Sequence, residues 1–396
     1  MESVTSPLRK PSPQNFRKLH RCKPHRTRWI SDQFLGHFVC VGFLFGESVE
    51  TGSRIGRIDR FRPVDSGSST PGVFCGSCAK IGFMNRLVII DGHAIMHRAF
   101  HALPPLTTSK GQAVNAVYGF VSMLLRVLEE LKPSHLLVVF DTPKPTFRNK
   151  LSKDYQAKRP ETDKNLVPQF ELAHKVVTEM GITHLEKDGF EADDVIGTIS
   201  QRTKNREQRT EVIIITGDRD LLQLVDEKIR VYLPVKGLSQ SKLFGEKEVE
   251  EKLGVTPSQV VDLKALIGDS SDNYPGVSGI GPKTAVNLLH SFGSFEGIYK
   301  HLAEIKSQTT KDRLMSGKKN GELSKKLATI ACDVPIDFNL DNCKLASFYT
   351  PQVRWLFEEL EFKSLIPRLS GGMKNHEVRI KNKNKEEDNI QQVTLF

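Results

Sequence analysis

Three apolar runs in this chain close in the same way. "RLVIID" at 86–91, "HLLVVFD" at 135–141 and "EVIIITGD" at 211–218 are continuous in hydrophobic residues, and each ends on an aspartate. Unbroken apolar runs, as opposed to alternating ones, describe strands buried on both faces, the condition of a parallel sheet covered by helices. An amphipathic stretch at about 113–131 predicts the crossover helix that parallel neighbours need. The pattern predicts an α/β fold with a mainly parallel sheet flanked by helices. Ligands in such sheets bind beyond the carboxyl ends of the strands, so Asp91, Asp141 and Asp218 arrive at one edge.

Further acids are placed to join them. "GFEADDVIGTIS" at 189–200 sets Glu191, Asp193 and Asp194 just before a helical apolar run. Acids in a first turn complement the helix dipole, and taken alone the stretch needs no other reason. Three carboxylates within about 4 Å, however, repel by roughly 1 kcal/mol per pair in water and several-fold more in a cleft, and a cation would relieve them. "LIGDSSDNYPGVSGIGPKTAVNLLHSFGSF" at 266–295 adds Asp269 and Asp272, then a Gly-rich turn whose backbone N–H groups can face a phosphate. It is not a Walker A loop, because Pro282 separates Gly281 from Lys283 and Thr284. The segment 142–166 is dense in Lys and Arg with Phe147 and Tyr155 interleaved. Beside an acidic edge this predicts a basic insertion that handles a phosphate backbone, its aromatics available to stack on bases.

With 396 residues, 38% hydrophobic and 26% charged, the chain has room for two domains, and its net charge of +10 favours a polyanionic partner. Four of its six cysteines precede Met84, which excludes a disulfide scaffold and fits a reducing compartment. "CGSC" at 75–78 lacks the second pair that a tetrahedral zinc site requires. Residues 1–84 begin rich in Arg, Lys, Ser and Pro and nearly free of acids, the profile of a transit peptide for a mitochondrion or chloroplast. The alternative is translation from Met84 and a protein of the nucleus or cytoplasm. The apolar run at 34–46 is too short to span a bilayer, and no membrane partner is expected. The expected units are a disordered extension at 1–84, a catalytic unit at 85–245 containing the insertion, a helical unit at 246–369 and a disordered polar tail at 370–396.

Eight strings in order, "IIDGHAIMHRAFHALPPLTTSKGQAVNAVYGF", "VVFD", "TFR", "GFEADDVIGT", "TGDRDLLQLV", "GDSSDNYPGV", "GIGPKTA" and "LEFKSL", resemble the 5' nuclease domain of bacterial DNA polymerase I and the wider flap endonuclease family. The resemblance runs from about Arg86 to Leu369. It implies a PIN-like 5' nuclease fold with a helix-turn-helix (H3TH-type) DNA-binding subdomain. It also implies a carboxylate bowl of Asp91, Asp141, Glu191, Asp193, Asp194, Asp218, Asp220, Asp269 and Asp272 holding two or more Mg²⁺ ions, with Mn²⁺ able to substitute. One ion would activate water for in-line attack on phosphorus and the other would stabilise the leaving 3'-oxygen, with Arg98 near the phosphate.

By the same resemblance Phe147, Arg148, Lys153, Tyr155, Lys158 and Arg159 belong to an arch that meets a free 5' end. Gly279, Gly281, Lys283 and Thr284 would contact the duplex backbone, with a K⁺ at the 276–284 turn. Two departures stand out. The family's Tyr-Lys-x-x-Arg becomes Tyr155-Gln156-Ala157-Lys158-Arg159, so Lys158 or Lys153 would replace the missing lysine, and His97 stands in place of a Tyr as a packing variant. The implied activity is Mg²⁺-dependent 5'-to-3' exonuclease and flap endonuclease cleavage of DNA in replication or repair. The substrate would be a duplex with a free 5' end, nick or flap, or an RNA primer–DNA hybrid. A catalytically silent DNA-structure binder and a PIN-type RNase are the alternatives. No polymerase or proofreading string follows, so a stand-alone monomeric nuclease is expected. "QVTLF" at 392–396 resembles a peptide that hooks repair proteins to a sliding clamp.

Overall fold

The structure is a computed structural model that describes residues 85–207, 209–236 and 240–369. The expected transit segment, "CGSC", the polar tail and "QVTLF" lie outside the described residues. The first apolar run is β1 (Asn85–Asp91) and passes directly into α1 (Gly92–Ala102). The predicted crossover is α2 (Asn115–Leu131), leading to β2 (His135–Val139). Then come α3 (Phe147–Leu151), α4 (Val167–Glu179), β3 (Thr183–Leu185), α5 (Ala192–Arg206) and β4 (Thr210–Ile215). Strands β5 (Ile229–Lys236) and β6 (Gln240–Phe244) complete the sheet. The remainder is helical: α6 (Glu246–Leu253), α7 (Val260–Ile267), α8 (Pro282–Phe292), α9 (Phe295–Lys300), α10 (Gln308–Ala328) and α11 (Pro351–Glu359).

The six strands lie in the order β3-β2-β1-β4-β5-β6, parallel throughout except for the antiparallel β5–β6 edge. β1 shows why the runs are unbroken. Its Leu87 and Ile89 enter a core shared with α5 and with Val260, Leu263 and Leu314 of the later helices. Val88 and Ile90 enter a second core with Phe120 of α2 and Val176 of α4. Alternate side chains point to opposite faces, so a strand covered on both must be apolar at every position. The chain lays β2 and β3 to one side of β1 and then crosses to place β4 on the other, making a topological switch point between β1 and β4.

The stretch expected as one helical unit at 246–369 divides between the two faces. Helices α7 to α10 pack on the α5 side, whereas Val353, Leu356 and Phe357 of α11, with Phe362 and Leu365 beyond it, pack against α2 and α4. Their i, i+3, i+4 spacing builds an apolar stripe that the far face of the sheet buries. Among the described residues no helix is long and apolar enough to cross a membrane.

Candidate active site

The switch point gathers acids from separate elements. Asp91 ends β1 and caps α1: Oδ1 accepts from the Ala94 N–H at 2.9 Å and Oδ2 from the Thr216 hydroxyl at 2.7 Å. Burial, then the nearby charges of Asp141 and Asp218, push its carboxyl up to about 7. Asp141, two residues past β2, accepts from the Ala192 N–H at 2.7 Å, so its charge sits at the positive end of α5. Its own N–H donates to His93 Nδ1 at 3.1 Å. Asp193, in the first turn of α5, is driven well above its ordinary value by burial and by Asp218, Asp91, Asp141 and Glu191. Asp218 follows β4 and accepts from the Asp220 N–H at 2.8 Å.

A second group faces this one. Among the described residues, Asp220, Asp269 and Asp272 are the one set of possible metal ligands whose atoms all lie within 4.8 Å of one another. Lys264 of α7 pairs with Asp220 at 2.5 Å and also with Asp269, and Arg159 pairs with Asp272 at 2.5 Å. Burial and Asp218 raise Asp220 to about 7 despite Lys264. Against the cost of burial, Lys264 and Ser271 hold Asp269 below its ordinary value. The loop carrying Asp269 and Asp272 is clasped at its ends by Gly268 and Gly276. Both have positive φ, and their backbones approach so closely that a Cβ on Gly276 would lie 2.2 Å from the Gly268 nitrogen.

Three predicted site residues lie elsewhere than expected. Asp194 is fully buried and its oxygens are taken: Oδ1 accepts from Arg148 Nη2 and the Ala331 N–H, both at 2.8 Å. Oδ2 accepts from Arg148 Nη1 at 2.7 Å and the Glu191 N–H at 3.1 Å. Four donors fill the acceptor capacity of a carboxylate, leaving none for an ion. Arg148, expected against DNA, is 3% exposed and also donates to the carbonyls of Leu327 and Thr329, tying α3 to α5 and the end of α10. Tyr155 is 4% exposed, with its hydroxyl on Glu191 Oε2 at 3.1 Å, so it is not free to stack on a base. Those two DNA contacts and the Asp194 metal ligand are therefore corrected.

The insertion has a buried base and an exposed crest. Thr146 donates to Glu191 Oε1 at 3.1 Å, and Phe147 is half-buried with its ring 5.9 Å from that of Phe190. Lys153, Lys158 and Arg159 are exposed. His97 lies 5.7 Å, ring to ring, from Phe170, and with Arg98 it lines a cleft of about 950 Å³ that Asp218, Asp220, Lys264 and Asp269 also border. In the Gly-rich turn Gly281 caps α8, Lys283 is exposed and Thr284 half-buried. The Gly279 carbonyl, in the turn expected to seat K⁺, accepts from Arg313 at 2.9 Å. Lys264 was not among the predicted site residues; its signal was the one basic residue inside "VVDLKALI", five residues before Asp269.

Two family models match the chain: "5'-3' exonuclease, N-terminal resolvase-like domain" over 86–254 and "5'-3' exonuclease, C-terminal SAM fold" over 255–350. DNA polymerase I of Bacillus caldotenax is 42% identical over 284 residues, covering 72% of this chain and 32% of that one. DNA polymerase I of Bacillus subtilis (strain 168) is 39% identical over 284 residues with the same shares. The chain thus spans about a third of the length of these curated relatives. Among solved structures, a 5'-exonuclease of T5 with bound zinc has a TM-score of 0.52 at 21% identity, covering 70% of this chain and 98% of that one. A bacteriophage T5 flap endonuclease in a pseudo-enzyme-product complex with DNA and metal ions has a TM-score of 0.51 at 20% identity, covering 73% and 98%. At these identities the likeness is one of fold.

Proposed function

The chain belongs to the 5'-3' exonuclease family, and from that premise we propose that it is a Mg²⁺-dependent 5'-to-3' exonuclease and structure-specific flap endonuclease acting on DNA. The observation that carries this reading is the meeting of acids from β1, β2, α5 and β4 at the switch point, opposite Asp220, Asp269 and Asp272. The donor set fits a hard dication: all oxygens, several held above their ordinary pKa by burial and mutual repulsion. With Asp194 removed, the ligands are drawn from Asp91, Asp141, Glu191, Asp193, Asp218, Asp220, Asp269 and Asp272. A Mg²⁺ ion held by these oxygens would supply charge neutralisation for the scissile phosphate and a lowered pKa for the attacking water.

The chain's own contribution is placement. Ala94, Thr216 and Ala192 fix the Asp91 and Asp141 carboxylates by hydrogen bonds, so their oxygens need little reorganisation when substrate arrives. Arg98 borders the same cleft and meets the phosphate. The exposed Lys153, Lys158 and Arg159 crest draws in the 5' strand, while Gly279, Gly281, Lys283 and Thr284 hold the duplex. Such contacts position without reading sequence, so selection is for shape: a free 5' end, nick or flap, or an RNA primer–DNA hybrid, in replication or repair.

Purified protein given a 5'-flap duplex and a single-stranded RNA tests the reading. Metal-dependent cutting of the flap duplex alone is expected; RNA preference would replace the reading with an RNase, and chelator-insensitive binding without cutting with a silent binder. Residues 1–84 are proposed to carry the protein into a mitochondrion or plastid, and a reporter fused to them that stays in the cytosol would refute this. A clamp contact through 392–396 is tested by whether deleting 391–396 changes cleavage only when clamp is present.

A further inference from the structure

The acidic trio already has positive charges in it. Lys264 reaches from the last turn of α7 to both Asp220 and Asp269, and Arg159 reaches across from the basic insertion to Asp272. The insertion is fastened there twice more: the Gln156 N–H donates to the Asp272 carbonyl at 2.9 Å, and the Asn273 amide donates to the Asp154 carbonyl at 2.7 Å. Two unit positive charges thus stand against three carboxyl groups. Without them, three acids whose oxygens lie within 4.8 Å would repel strongly. The ammonium of Lys264 bridges two of the three groups that would have to turn toward a shared ion.

We propose that Lys264 and Arg159 are resident counter-cations of the Asp220, Asp269 and Asp272 trio, which a divalent ion must displace to bind there. The trio is then the weaker and later-filled side of the bowl. Asp91 and Asp141 are held instead by the N–H groups of Ala94 and Ala192 and by the Thr216 hydroxyl, and with the neighbouring Asp193 they accept the first ion without such a contest. Displacement also releases Lys264 into the cleft and Arg159 from its place on Asp272. The inference rests on the reading that the bowl seats divalent ions.

The test is Mn²⁺ binding to the full chain, followed by electron paramagnetic resonance of free ion with no substrate present. Wild-type protein is expected to show one tight and one weaker class of site. Lys264→Met should tighten the weaker class by roughly tenfold or more, because a competing unit charge is removed at contact distance. Arg159→Met, at an exposed position, should tighten it less and serves as a second probe should Lys264→Met fold poorly. Lys264→Arg should restore the weak class. If Lys264→Met or Arg159→Met leaves the weaker class unchanged or weakens it, the side chains only hold the loop and the inference is overturned. If wild-type protein binds no Mn²⁺ at all, the functional reading fails instead.

Discussion

The two sides of the bowl meet the same electrostatic problem with different means. On the strand side, Asp91 and Asp141 are held by the N–H groups of Ala94 and Ala192 and by the Thr216 hydroxyl. On the loop side, Asp220, Asp269 and Asp272 are held by an ammonium and a guanidinium. Dipoles fix where a carboxylate points but cancel none of its charge, and Asp91 and Asp193 stay elevated. Cations offset charge and draw the acids into a set that spans only 4.8 Å, and Asp269 falls below its ordinary value, while burial keeps Asp220 and Asp272 above theirs. A carboxylate's address and its appetite for an ion are therefore set separately.

The largest expected effect separates neighbours within the strand side. Asp193→Asn should lower flap cleavage at least roughly a thousandfold, the loss of several kcal/mol of charge stabilisation, with flap affinity near normal in a gel-shift assay. Asp194→Asn should act on the fold. It leaves buried Arg148 without its hydrogen-bonded carboxylate and with Glu191, 3.6 Å away, as a weaker counter-charge, at a cost of about 3 kcal/mol read from urea denaturation. An unchanged urea midpoint with abolished cleavage would return Asp194 to the metal site.

Next comes pH. Asp91 titrates at about 7 folded against an ordinary 3.8, so between these values the folded state binds more protons than the unfolded one. Its stabilising contribution is whole below 3.8 and is lost as pH climbs through 7. Melting of metal-free protein should show stability falling with pH over that window, by up to roughly 1.4 kcal/mol per pH unit for each such group. Saturating Mg²⁺ should flatten the slope. A slope that survives Mg²⁺ would mean that the ion binds only the loop side.

The smallest effects divide the insertion. Tyr155→Phe should cost about 1 kcal/mol of stability and leave the salt dependence of DNA binding alone. Lys158→Ala should reduce the salt slope by about 1 and leave stability alone. Exchange of these two outcomes would invert the assignment of buried base and exposed crest.

The sheet was legible because burial on both faces leaves an unmistakable mark: the runs ending at Asp91, Asp141 and Asp218 have no polar interruption until Thr216. Convergence of the acids followed from where such runs end. The roles of Arg148 and Tyr155 were not legible. A basic stretch looks the same whether its partner is a phosphate or a carboxylate 46 residues away, and only the fold brings Asp194 to Arg148. Lys264 was hidden for the related reason that a lysine in a mainly apolar helix does not declare which side it faces. The split of 246–369 between two faces was likewise unreadable, since an apolar stripe states that it is buried but not against what.

The clasp of Gly268 on Gly276 bears on where the proposed nuclease would cut a strand. Val277, at the start of the Gly-rich turn, donates its N–H to the Leu266 carbonyl at 2.8 Å, so the turn and the acid-bearing loop spring from a single backbone crossing. Under the proposed function, a nucleic acid seated on both would be measured against a fixed gauge a few residues long, and the register of the product would follow from the geometry of that knot.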